Sequence, residues 1–302
     1  MAAALARAVF RGFGAWQAVT LLLALNLGVA LLVVAPFLPA LGRELGHAPL
    51  AEGQPLLSAP VVFAVNAAAR AGGRPSVLAP GVLLGLLQLF LAGGIARCGW
   101  LAGPFSAAEF FAASGRLFVR NLRLFSWSLL GLLAVGGLVA GSAVLLHALG
   151  RDSLFTFESL AEGRIWTVWS VGQLAFSGLC LAAWRLALDA ARVLLWRDDL
   201  RRTRQAAWRG VLLVLRAPLA VAGFAALAAV GVLGVFLVAR FRASLPEGHL
   251  GWTVLALLVG QLALWLRYAF QMAGTAFAAE QLREQSGRDT TAAVSGEASP
   301  GR

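Results

Sequence analysis

Six long, uncharged, apolar stretches occupy most of the chain, at residues 17–41, 76–96, 124–150, 165–184, 217–239 and 250–266. A helix needs about 20 consecutive apolar residues to cross the hydrocarbon of a bilayer. The stretches therefore predict an all-α fold, a polytopic membrane bundle of six transmembrane helices. With 60% hydrophobic and only 13% charged residues, the chain lies outside the range of soluble domains.

All 25 basic residues are arginine. A sequence pI near 11.6 would suit a nucleic-acid binder, but arginines set between apolar spans follow first from the positive-inside rule. No nucleic-acid partner is expected, and the Arg, Ala, Gly and Leu bias fits a GC-rich bacterial genome. With the N-terminus placed in the cytoplasm, 18 arginines fall on the inner side and 7 on the outer, against 8 and 6 acids. Both termini are thus predicted to be cytoplasmic, in a multi-pass protein of the bacterial inner membrane. Tryptophans agree with the boundaries: Trp16, Trp100, Trp127, Trp196 and Trp208 fall near the inner interface, and Trp166, Trp169 and Trp252 near the outer. The first apolar run is too long for the core of a cleavable signal peptide, so it reads as a retained span.

Three basic amphipathic segments precede the odd-numbered spans. The first carries Arg7 and Arg11 beside Phe10 and Phe13. The second begins at Ser106 and Glu109, a Ser-x-x-Glu capping box, and sets Arg116, Arg120 and Arg123 opposite Phe110, Phe111, Phe118 and Leu122. The third sets Arg202, Gln205, Arg209 and Arg216 beside Trp208, Leu212 and Leu215. Such helices lie in the headgroup plane and attract anionic lipid, so Arg116, Arg120, Arg123, Arg209 and Arg216 are the candidate headgroup contacts. Aligning the segments at Ala4, Ala113 and Ala206 suggests three helical-hairpin pseudo-repeats, in which Arg7, Arg116 and Arg209 coincide.

The segment Asp189, Ala190, Ala191, Arg192, leaving a long span and followed by a basic amphipathic helix and another span, resembles a group of uncharacterised bacterial six-helix membrane proteins. These are similar in layout to YciC-like proteins and to the membrane domain attached to some glycerophosphodiester phosphodiesterases. The resemblance covers roughly residues 80–282 and implies an all-helical integral membrane module. It carries over no catalytic residue, and the soluble phosphodiesterase domain of those fusions has no counterpart here. Mitochondrial carriers also have three hairpins in such a length, but their Pro-x-Asp-x-x-basic signature follows none of the odd spans.

No phosphate-binding Gly-Lys loop, His-Glu-x-x-His or Gly-x-Ser-x-Gly motif occurs. Neither enzymatic activity nor a cofactor is expected. His47, His147 and His249, one per hairpin, all fall on the outer side, with no spacing that makes them a metal site. Cys98 and Cys180 read as apolar filler. The best polar candidate is the inner end of the fourth and sixth spans, where Arg185, Asp189 and Arg192 share one helical face and Arg267 and Gln271 share another. These five residues form either an inward-facing cleft for an anionic headgroup or solute, or a clamp in which Asp189 ties Arg185 and Arg267 together. Asn26, Gln88, Gln173 and Gln261 within spans predict interhelical hydrogen bonds, and the pairs Gly81/Gly85 and Gly137/Gly141 predict close helix packing. Residues 1–284 are expected to form the membrane domain and residues 285–302 a disordered cytoplasmic tail. Within the outer loop 42–75, residues 59–71 predict a short helix. The reading is a non-enzymatic module that binds lipids or a protein partner. The alternative is a transporter or permease component for a small anionic or lipidic substrate.

Overall fold

A computed structural model describes residues 2–34, 78–101, 103–154, 159–245 and 250–297. The outer-loop helix expected at 59–71, together with His47 and His249, lies outside the described residues, as does the side chain of His147. The described residues form eight helices and no strand: α1 (Ala2–Gly14), α2 (Trp16–Val34), α3 (Leu78–Trp100), α4 (Ala107–Leu154), α5 (Ser159–Arg197), α6 (Thr203–Arg216), α7 (Pro218–Ala243) and α8 (Leu250–Glu297). Among the described residues five helices are long and apolar enough to cross a membrane, and the bent pair α1 and α2 supplies a sixth candidate. The chain is thus a polytopic helical bundle.

Each basic amphipathic segment joins its span differently. At Ala15 the axis bends by 56° between α1 and α2. Pro218 has no N–H to continue α6, so a new helix, α7, starts there. Between Glu109 and Leu154 no proline interrupts the pattern, and α4 runs on as one helix of 48 residues, about 70 Å at 1.5 Å per residue. The second segment was expected to lie apart in the headgroup plane; it instead continues the axis of its span and packs along α3. Half of its capping box forms. The Glu109 N–H donates to Ser106 Oγ at 3.4 Å, while the Glu109 carboxylate turns to Arg97.

The packing repeats three times. The segment at the start of α4 lies on α3, α6 lies on α5, and α1 lies on α8. Each amphipathic segment thus covers the end of an even-numbered span, and the three even spans α3, α5 and α8 touch one another pairwise. The residues that aligned the repeat, Ala4, Ala113 and Ala206, are all buried. At each of these contacts a glycine admits the neighbouring backbone. A Cβ on Gly12 would strike Ala269 and Ala273 of α8; on Gly93 it would strike the Ala113 carbonyl; on Gly210 it would overlap the Ala187 carbonyl. The second and third of these contacts join elements linked by short turns. The first joins elements far apart in the chain, and so closes the ring of hairpins without a covalent link.

Burial concentrates at the end of the bundle where these segments lie, the basic end. There Leu186, Leu194, Leu195, Met272 and Phe277 are fully covered. Toward the far end Leu133, Leu174, Val232, Phe236 and Leu258 face outward, as lipid-facing side chains do. Of the glycines expected to mediate packing, Gly85, Gly137 and Gly141 have no neighbour near a Cβ position. Three of the four polar expectations, Asn26, Gln88 and Gln173, hold, through two bonds. Gln88 Nε2 donates to Asn26 Oδ1 at 2.8 Å between α3 and α2, and Gln173 Nε2 donates to Ser142 Oγ at 3.1 Å between α5 and α4. Gln261 Oε1 is buried without a bonded partner. Cys98 and Cys180 are free thiols.

Helix α8 continues through Glu297, whereas the sequence suggested a disordered tail from residue 285. Contacts at the expected break carry it onward: Ser286 Oγ donates to Leu282 O, and Arg197 of α5 donates to Ser286 Oγ.

Candidate functional site

The basic end gathers most of the ionic chemistry. Around α8, Glu280 receives Arg11 at 2.5 Å, Arg7 at 3.6 Å and Arg283 at 2.8 Å, which fastens α1 to α8. Trp100, the last residue of α3, lies beneath the guanidiniums of Arg283 (4.5 Å) and Arg197 (5.3 Å), and Arg283 also donates to the Trp100 carbonyl. Cations over an indole face are attracted by its ring quadrupole. One aromatic ring therefore joins the ends of all three even spans.

The turn from α5 to α6 holds a second set. Asp198 binds Arg197 and Arg209. Asp199, at φ 47° in the left-handed region where aspartate is better tolerated than most residues, receives Arg120 at 2.5 Å and Arg116 at 3.1 Å from α4. Bonds from Arg120 and then Arg116 hold the Asp199 carboxyl below its ordinary value. Three of the five predicted headgroup arginines, Arg116, Arg120 and Arg209, therefore also bind acids of the protein. Arg123 and Arg216 are exposed and join no ion pair among the described residues.

Helix α6 presents three distinct faces. Thr203, Ala206, Gly210 and Leu213 are buried, against α5. Arg204, Trp208, Val211 and Leu215, spaced by 4, 3 and 4 residues, form an exposed stripe in which Trp208 and Leu215 are 60% and 69% accessible. Arg209 and Arg216 flank it. This is a bundle-bound helix with an apolar stripe and a basic edge turned outward. On the second segment the apolar side is divided, with Phe111 and Leu122 exposed and the other two phenylalanines packed against neighbours. Phe110 is buried over Gly94 and beside Phe105, and Phe118 meets Phe90. Arg204 was missed as a surface candidate because its place in the stripe emerges only once the start of α6 at Thr203 is known.

The predicted polar cluster is partly assembled. Asp189 is 1% accessible. Its Oδ2 accepts from Arg185 Nε at 3.2 Å and its Oδ1 from Arg192 Nη1 at 2.9 Å, both from its own helix. The interhelical clamp expected between Asp189 and Arg267 is not made. Arg185 and Arg192, one turn either side, reach the carboxylate first, and Arg267 is exposed. The cross-helix neighbour of Asp189 is Gly274 of α8: a Cβ there would sit 3.9 Å from Asp189 Oδ2. Gln271 is half-buried, and its backbone carbonyl accepts from Thr275 Oγ1. Among the described residues no group of three or more His, Cys, Asp or Glu is placed to hold a metal ion. Comparison with protein-family models, with curated proteins and with solved structures finds no match to this chain.

Proposed function

We propose that this chain is a non-enzymatic module of the bacterial inner membrane, with both termini in the cytoplasm, that binds anionic lipid through the basic end of its bundle. The observation that carries this reading is α6. A helix packed by one side on the bundle, with Trp208, Val211 and Leu215 exposed on another and Arg204, Arg209 and Arg216 at the edge, suits the boundary between acyl chains and phosphates. Its tryptophan anchors at headgroup level, and each arginine gains roughly 1 kcal/mol near an anionic surface. The distribution of arginines between the two sides supports the orientation.

Spin labels at Trp208 and Leu215 in liposomes of phosphatidylglycerol and phosphatidylcholine should report shallow lipid burial, and a label at Arg209 headgroups or water. Equal aqueous accessibility at all three would end the reading. A label at Phe110 should instead report protein packing. The alternative, a transporter or permease component for a small anionic or lipidic substrate, draws support from the intramembrane charges on α5. Flux of a labelled anion across proteoliposomes would favour it.

A further inference from the structure

The face of α5 that carries Asp189 is turned toward α8 at Gly274, and what stands above that contact goes beyond the surface reading. Asp189 lies beside Gly274, and Arg197 bonds Ser286. Both pairs advance toward the C-terminal ends, so the two helices run in the same direction. Arg267 and Gln271 precede Gly274 by seven and three residues, which places all three on one face of α8. Arg185 precedes Asp189 by four. Arg185 on α5 and Gln271 and Arg267 on α8 therefore lie on the same side of this contact, along the groove between the two helices, where the Phe224 ring of α7 packs on Gly274 beside Asp189.

The charges in this groove do not cancel. Asp189 is satisfied by Arg185 and Arg192, yet the carboxylate takes only Nε from Arg185 and Nη1 from Arg192. The Arg185 side chain is 37% accessible, and only its Nε is taken up by the carboxylate. Arg267 joins no ion pair among the described residues. Three arginines against one aspartate leave two positive charges within helices long and apolar enough to span the membrane. An intramembrane arginine is costly unless it meets water, a headgroup or a counter-ion. Arg267 is seventeen residues into α8, about 25 Å along its axis, which is near the headgroups of the leaflet on the basic end. Guanidinium forks match phosphate oxygens.

We infer that this groove binds one phosphate-bearing group, either the headgroup of an anionic phospholipid or inorganic phosphate. Arg185 and Arg267 are its charged donors, Gln271 is a neutral donor, and Asp189 is a positioning residue that holds Arg185 in place. The site is independent of α6, and either can fail without the other.

The test uses the full chain in a neutral detergent. Native mass spectrometry with added phosphatidylglycerol, or with diacylglycerol as a phosphate-free control, measures lipid held per chain; calorimetry measures binding of inorganic phosphate. Phosphatidylglycerol should be retained and diacylglycerol should not. Arg267→Gln and Arg185→Gln should each weaken the retention at least tenfold, while Arg240→Gln, at the exposed far end of α7, leaves it unchanged. Because Arg267 has no ion pair to lose, Arg267→Gln should keep the lipid-free melting temperature of the wild type, which separates loss of binding from loss of fold. If phosphate binds with the same dependence on Arg267 and Arg185 and displaces the lipid, free phosphate is the ligand; if only the lipid binds so, it is the headgroup. The inference is overturned if wild type binds neither probe, or if both variants bind them as wild type does.

Discussion

Helix α8 is apolar along both halves of its span, and the halves meet opposite surroundings. In the far half Val254, Leu255, Leu257, Leu258, Leu262 and Leu264 face outward. In the half toward the basic end Ala269, Met272, Ala273, Ala276, Phe277, Ala278 and Ala279 are covered on every side. Hydrophobicity does not distinguish the two, since in a bilayer the solvent is as apolar as a leucine. Side-chain size does. Alanine and glycine let helices approach until backbones touch, and dispersion contacts then accumulate; leucine and valine hold the helices apart and meet lipid instead. The buried charges belong to the tight half as well, which makes that half both the more stable and the more easily damaged.

The largest expected effect is at Asp189. Asp189→Ala leaves two guanidiniums without their carboxylate, a loss that reaches about 3–5 kcal/mol where the pair is fully buried and less where, as for Arg185, the partner is partly accessible. Thermal unfolding in detergent should show a marked drop. Adding Arg185→Gln should recover part of it, and adding Arg267→Gln none, since Arg267 is not paired with Asp189. Recovery through Arg267 would show that the carboxylate bridges α5 and α8 after all.

Packing gives the next contrast. Gly210→Val drives a side chain into the Ala187 carbonyl and should cost about 1–3 kcal/mol, as overpacking does. Gly85→Val in the loose half meets open space and should stay within about 0.5 kcal/mol of wild type. Equal effects at the two positions would abolish the distinction between the halves.

The smallest effect concerns Asp199, which is exposed and outside the spans. Its carboxyl is held below the ordinary 3.8, so its contribution to stability is complete above that value and disappears as the pH falls through the lower folded value. An acid unfolding profile of Asp199→Asn should therefore lack the component that wild type loses below about pH 3.8. Identical profiles would mean that Arg116 and Arg120 hold the turn no better in the charged state.

Much of this architecture is legible in the sequence because it depends on sums over many residues. The spans come from long apolar runs, and the threefold repeat from the recurrence of basic amphipathic segments aligned at Ala4, Ala113 and Ala206. Details that depend on one residue are not legible in the same way. Among 34 glycines, nothing in the local pattern marks Gly12, Gly93 and Gly210 as close-contact positions or Gly85, Gly137 and Gly141 as open ones. The cluster at Asp189 was visible as charge at helical spacing, and so was its pairing with Arg185; the second partner, Arg192 in place of Arg267, was not. Arg185 and Arg192 win because they share a helix with the aspartate, while the approach of Gly274 requires the packing of α5 on α8. Likewise the unbroken axis of α4 could not be told from a helix pair, since nothing but the lack of a proline separates them.

The grip of α1 on α8 has a consequence for how the protein is made. Helices are inserted in order of synthesis, so α4 and α6 find α3 and α5 already in the membrane, each a short turn behind. Arg7, Arg11 and Gly12 have no such neighbour: Glu280 and Ala273 lie on the last helix described. Until that helix arrives α1 must wait at the membrane surface with its alanine face uncovered. The bundle can thus assemble hairpin by hairpin, but its ring closes only in a final, long-range step of the kind that is slow and exposed to error.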